Sequence, residues 1–403
     1  MGLSSYWFAS SAKWYILLLA VLPSRVEEIV GTAAKEAQWG RVVAAGAIWA
    51  IIGPAFFGYL SDKLHGRGPG RSKFLLWSVP VTILGLVTLF AAHSIPLMMV
   101  GYFILQVGED MGTGPFNAVI PELVVEEQRG RASGMMGFMQ LGAQLFIGLF
   151  AFAVGELLGS GATIAIYAFL IVINIAFSIW AARTIQATEP LPIEQPTEHV
   201  SLWRAWLSPW KSADFCWVWF TRFLVAVGFY LIVTYLKFFL GDVVYHSAEV
   251  ASKKVLVLGL AMSLAGAIGS IVAGKFADRV GRKRVIYLAG TVMAGILIPP
   301  IILPLPVLML PVAAIFGAAY GAYLSADWAL ASDILPNKGQ EGTDMGVWHA
   351  SVPSTQIVAG LFGVVISKLN TQGDGLGYKA SFAIAAGMLF LGSILVRQVK
   401  GSS

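Results

Sequence analysis

Charge is what this chain has least of. Asp, Glu, Lys and Arg make up 12% of its 403 residues, about half the share of a soluble protein. With 57% of the residues apolar or aromatic and a mean hydropathy of +0.75, too few polar side chains exist to cover a water-facing surface. A soluble globular domain is excluded, and a membrane chain remains. Cysteine is nearly missing: the single Cys216 excludes an intramolecular disulfide and a cysteine-based metal cluster. The histidines, at 65, 93, 199, 246 and 349, are scattered singly. That pattern offers no metal-binding pair and no nucleophile with a base, and no glycine-rich phosphate loop is present to power an ATP-driven pump. An enzyme is therefore not expected, nor a resident cofactor or metal. A cleavable signal peptide is not expected either, because the apolar stretch 14–22 is followed by Pro-Ser-Arg-Val-Glu-Glu and not by small residues.

What the chain has instead is uncharged length. A bilayer core takes about 20 apolar residues per helical span, and six windows fit one span each: 42–61, 132–155, 157–182, 255–274, 345–366 and the shorter 380–396. Two windows are too long. Residues 74–108 are interrupted by His93-Ser94-Ile95-Pro96, and 285–326 by Pro299, Pro300, Pro304, Pro306 and Pro311, so each is expected to be two spans joined by a tight turn. Adding a first span near 13–33 and a seventh near 214–239 predicts twelve transmembrane helices in an all-α polytopic protein. The pieces are a six-helix bundle over 1–186, a linker over 187–212 and a second bundle over 213–403. The linker opens with the acidic, proline-rich ATEPLPIEQPTEH. It continues with SLWRAWLSPWK, which spaces its tryptophans along one helical side and predicts an interfacial helix with those rings at headgroup level.

The cations set the orientation. Assigning alternate loops to one side gathers eighteen of the 27 Lys and Arg residues there, Lys13, Lys63, Arg71, Arg129, Lys275 and Arg282 among them. The positive-inside rule then makes both termini cytoplasmic, in the plasma or inner membrane. The net charge of +5 is thereby a topology signal, and nucleic acid is not an expected partner. The expected partners are the lipid bilayer and a small-molecule substrate, with the protein a monomer.

Two loops repeat. GYLSDKLHGRGPGRSK at 58–73 shares its skeleton with GKFADRVGRKR at 274–284, and IPELVVEEQRGRASG at 120–134 is echoed by SDILPNKGQEGTDMG at 332–346. The pairs lie at nearly equal offsets, which implies a duplicated six-helix unit. A Gly-x-x-x-Asp-Arg/Lys…Gly-Arg-x-Lys/Arg loop between the second and third helices of each half resembles the signature loop of the major facilitator superfamily. The resemblance covers essentially the whole chain. At finer grain the loop ending GRSKFLL, the 120–134 segment and FTRFLVAVGFYLIVTYLKFFLGDVV resemble the sucrose and glycoside cation symporter branch. The fifth span lacks the Gly-Pro signature of proton-coupled drug antiporters.

A carboxylate at a cytoplasmic helix end gains from facing the positive start of another helix. Asp62 could so face the eleventh helix near Thr343, and Asp278 the fifth near Ala132. The resemblance implies that Arg71 with Glu122, and Arg282 with Asp333, complete two clusters that gate the cytoplasmic side. The alternative is that these loop charges only enforce topology.

Ionisable residues inside spans mark function by default. Glu109 and Asp110 fall near the middle of the fourth span, Arg222 in the seventh, Asp327 in the tenth, and Arg25 and Glu28 in the outer part of the first. The resemblance implies that helices one, four, seven and ten line a central cavity, with substrate near the midplane. Glu109 and Asp110 lie about 100° apart on a helix, so one is a candidate for transport and the other for structural pairing. Arg222 is a substrate group or a structural partner, and Asp327 a site residue or an anchor. His349 is expected to be a hydrogen-bonded core residue, with proton carriage as the alternative. Gln140 and Gln144 form a polar face for hydroxyl-bearing substrate or for a neighbouring helix. Counting Glu109, Asp110 and Asp327 against Arg222 leaves two surplus negative charges, relieved by a proton or another cation. A proton is expected as coupling ion, because span 42–61 holds no carboxylate of the kind sodium-coupled members of the glycoside branch use. The expected function is secondary active transport by alternating access, as proton-coupled symport of a sugar or glycoside-like solute. Movement of a lipid-like or drug-like molecule and a non-transporting receptor are the alternatives.

Overall fold

The computed structural model describes residues 1–31, 35–65, 68–188, 201–373 and 375–401. The described residues are helical and include no strand. In chain order the α-helices are α1 (Tyr6–Ile16), α2 (Leu22–Val30), α3 (Lys35–His65), α4 (Ser72–Phe90), α5 (Ile95–Phe116) and α6 (Val119–Leu123). Then come α7 (Arg129–Leu158), α8 (Ala162–Gln186), α9 (Leu202–Leu207), α10 (Ala213–Phe239), α11 (Ala248–Val280) and α12 (Arg282–Ile296). The last are α13 (Ile298–Ile302), α14 (Pro306–Asp333), α15 (Glu341–His349), α16 (Ser351–Asn370) and α17 (Leu376–Leu395). Joining the segments that run on from one another (α1 with α2, α5 with α6, α12 with α13, α15 with α16) gives, among the described residues, twelve rods besides α9. Eight helices are long and apolar enough to cross a membrane among the described residues.

Local chemistry explains the breaks. Ser94 caps α5 by accepting from the Leu97 N–H, with Pro96 in the first turn. The long window 285–326 is divided at Pro299, Pro300, Pro304 and Pro306 into α12, α13 and α14. The first rod departs from expectation. It begins at Tyr6, not near Lys13, and passes through a π-helical turn at Leu17–Val21 before α2. Lys13 therefore lies buried inside the first rod and not at its border. Of the linker, α9 and the turn Pro209–Lys211 are described, while the proline-rich part at 189–200 lies outside the described residues.

The chain divides into two compact units, each drawn from both sequence halves. One contains Met1–Glu126, Gly142–Pro209 and Leu335–Ala350; the other contains Glu127–Leu141, Trp210–Ile334 and Ser351–Ser403. In the first, Leu17, Leu22, Leu86, Leu105, Ile147 and Leu170 form a buried apolar cluster. In the second, Gly266 and Gly269 of α11 lie on Gly317, Ala318 and Gly321 of α14 so closely that an added Cβ at Gly321 would fall on the Gly266 carbonyl. Small residues of this kind let helices meet where hydrophobic exclusion gives no help. Large apolar side chains such as Leu84, Phe152, Val172, Val272 and Leu288 point outward, as surfaces facing hydrocarbon allow.

Candidate functional site

In the first unit, α1 and α5 share a buried ion pair. Lys13 Nζ donates to Glu109 Oε2 at 2.6 Å, Ser10 Oγ donates to Glu109 Oε1, and the Lys13 side chain is 1% exposed. Lys13 lies three positions after Ser10, so both reach the same carboxylate from one face of α1. Asp110, the next residue, points elsewhere. Its oxygens accept from Gln106 Nε2 at 3.1 and 3.2 Å, one turn back on α5, and Oδ2 lies against Gly53 of α3 near the Trp49 indole nitrogen. Among the described residues no cation forms an ion pair with Asp110. Lys13, Ser10 and Gln106 escaped the sequence reading. The signal for Lys13 was that it is the only charged residue in the first 24.

In the second unit, Arg222 of α10 pairs through Nη1 with Asp327 Oδ2 of α14, and its guanidinium lies 5.9 Å from the Trp328 ring centroid. Both side chains are buried. On the same two helices Phe229 stacks on Tyr320 at 4.1 Å between centroids, and Tyr320 on Tyr323 at 6.5 Å. The expected surplus of two negative charges is therefore corrected to one. Within the first unit Lys13 pairs with Glu109, within the second Arg222 pairs with Asp327, and among the described residues Asp110 is the one of these three carboxylates without an ion pair.

Arg25 and Glu28 do not join these pairs. Arg25 Nε and Nη2 donate to the Ala92 carbonyl at 3.1 and 3.0 Å, Nη2 meets His93 Nδ1 at 2.9 Å, and Nη1 pairs with Glu28 at 2.8 Å. This arrangement caps the end of α4 with a cation, as the helix dipole favours. Gln140 and Gln144 on α7 are half-buried and enter none of these ion pairs. The His349 ring lies 6.0 Å from Trp7, which in turn meets Phe116 at 6.5 Å.

The duplicated loops form two clusters of related design. In the first unit, Asp62 accepts from Gly342 N at 3.2 Å, Thr343 N at 2.8 Å, Thr343 Oγ1 at 2.7 Å and Arg71 Nη2 at 2.6 Å. Arg71, fully buried, also donates to Ser61 Oγ at 3.1 Å and through Nε to Glu122 at 2.7 Å. An added Cβ at Gly58 would fall on the Gly342 carbonyl, so only glycine lets α3 approach the start of α15 this closely. In the second unit, Asp278 accepts from Gly130 N at 2.8 Å and Arg131 N at 3.0 Å. Arg282 pairs with Asp333 and stands 3.9 Å from Asp278, and Arg129 pairs with Asp333 at 2.9 Å. Each aspartate thus sits on the open N–H groups of a helix start, where a carboxylate is favoured. Arg129 is a further member that the sequence reading did not single out.

Comparison with known proteins agrees with this architecture. No curated protein sequence matches the chain. Solved structures match in fold at low identity. One is the proton:xylose symporter XylE with bound 6-bromo-6-deoxy-D-glucose, at a TM-score of 0.74 and 15% identity over 99% of this chain and 95% of that one. Another is the E. coli fucose:proton symporter FucP, at 0.72 and 15% over 99% and 98%. A third is the human organic anion transporter MFSD10, at 0.75 and 13% over 98% and 97%. The sequence profile of the Major Facilitator Superfamily matches residues 3–338 and 252–400. Twelve helical rods, the duplicated loops and this match lead to one conclusion: the chain is a multi-pass membrane protein that belongs to the major facilitator superfamily of transporters.

Proposed function

We propose that the protein is a proton-coupled symporter of a sugar or glycoside-like solute, with Asp110 as the group that takes up and releases the proton. The observation that carries the reading is the unequal treatment of two adjacent carboxylates. Glu109 has a lysine and a hydroxyl, whereas among the described residues Asp110 accepts from an amide alone. A charge held in a low-dielectric interior by an amide alone is costly, and a proton removes that charge without needing a coordination shell. Arg222 and Asp327 form a pair that a hydroxyl-rich solute can engage, with Tyr320, Tyr323 and Trp328 nearby to lie along a sugar face. Two structurally similar proteins carry sugars with protons, xylose in one and fucose in the other, which supports the solute class. The Asp62 and Asp278 clusters act as latches on the cytoplasmic side and break when that side opens.

The test begins with thermal shift of the purified protein over sugars, glycosides, organic anions and lysolipids. The solute that stabilises is then followed in vesicles. Asp110→Asn is expected to abolish accumulation driven by a pH gradient while leaving exchange across the membrane at least partly intact. Undiminished accumulation by this variant would sink the assignment.

A further inference from the structure

The linker helix α9 does more than join two halves. Its inner side is the fully buried Ala205, and the helix packs on α15 and α3. Its outer side shows Trp203 at 71% exposed and Leu207 at 55%, with Arg204 exposed between them. No acidic residue occurs from Ser201 to Ser208. Ser208, which follows the helix, is where it is tied. Asn337 Nδ2 donates to Ser208 Oγ at 2.8 Å and to Asp344 Oδ1 at 2.9 Å, and Asn337 N donates to Asp344 Oδ2 at 3.0 Å. Asp344 is fully buried and follows Thr343, whose N–H and hydroxyl hold Asp62. Three side chains therefore form a hydrogen-bonded path from α9 to the first turn of α15, the turn that forms the latch.

The outer strip has a definite chemical complement. An indole and an isobutyl group flanking a guanidinium suit a bilayer surface, with the apolar groups at headgroup depth and the cation on phosphate. Lys338, exposed and adjacent to Asn337, adds a second cation on the side of the tie. A zwitterionic surface would reward the ring and the leucine, whereas an anionic one rewards all four residues.

We infer that α9 docks on anionic phospholipid headgroups through Trp203, Arg204 and Leu207, and that Asn337 relays this docking to the Asp62–Thr343 latch. The inference rests on the membrane-transporter and latch reading above. Hydrogen exchange of the amides of residues 341–346 tests it in the full-length protein. The two media are phosphatidylcholine vesicles and vesicles of phosphatidylcholine mixed with phosphatidylglycerol. The anionic mixture should slow exchange about fivefold, the scale of one net hydrogen bond. Arg204→Gln should remove that difference. Ser208→Ala should remove it as well, while keeping both Asn337 bonds to Asp344. Asp62→Ala should speed exchange in both mixtures, and failure to do so counts against the latch reading and not against the lipid relay. Equal exchange of the parent in the two mixtures overturns the inference. So does a lipid difference that survives Arg204→Gln or Ser208→Ala.

Discussion

Glu109 and Asp110 occupy consecutive positions on α5 yet face different helices, Glu109 toward Lys13 of α1 and Asp110 toward Gly53 of α3. The pair with Lys13 makes a stability prediction. Glu109→Gln leaves a buried ammonium without its counter-charge and should cost about 3–5 kcal/mol. The double variant Lys13→Met with Glu109→Met should recover most of that loss, and denaturation in detergent reads both. A single variant as stable as the parent would contradict the pairing. Asp344 makes a second prediction, through pH. Burial pushes its carboxyl up to about 8, with the charges of Asp62 and Glu341 adding to the effect and the Asn337 hydrogen bonds opposing it. In the unfolded chain the group titrates near 3.9, at roughly the ordinary value. The folded protein therefore prefers the protonated acid. Its contribution is fully present below about pH 4 and is lost as pH rises through about 8. The melting temperature should fall over that range, and Asp344→Asn should flatten the fall; an unchanged slope in the variant would count against it. Single residues were the least legible level of the sequence. Lys13 looked like a border cation because its acid lies 96 residues away, and only packing could bring the two together.

Helices and their junctions were easier to read. Uncharged length and proline punctuation located the breaks at 91–94 and 297–305, because a lipid-facing helix must satisfy its own backbone and ends where proline or a capping serine ends it. The start of α1 is not marked by charge, because Lys13 sits inside the helix and pairs with Glu109. The duplicated loops were legible as loops through their repetition. Their difference in strength was not, since it depends on which donors reach each aspartate. Asp62 accepts from two backbone amides, a hydroxyl and a buried guanidinium, whereas Asp278 accepts from two backbone amides with Arg282 at 3.9 Å. Asp62→Asn should accordingly disturb transport more than Asp278→Asn. Both variants should insert and fold while shifting the balance of inward- and outward-open states, as read by spin-label distances alongside solute exchange. Normal turnover in both variants would reduce these loops to topology signals.

For the whole molecule, we propose that solute and proton move together, with the proton neutralising Asp110 in the membrane interior. The chain's family was legible from composition, span count and repeated loops, all of which are long-range statistics of the sequence. The pairing of the intramembrane charges was not, because Lys13 with Glu109 and Arg222 with Asp327 meet only through packing. The most direct measurement is proton movement in vesicles loaded with a pH-sensitive dye, started by adding the solute that the thermal-shift screen selects. The parent should acidify the vesicle interior as the solute enters, and Asp110→Asn should not, even where it still exchanges solute. Solute uptake by the parent with no change in internal pH would contradict the claim, as would acidification that persists in Asp110→Asn.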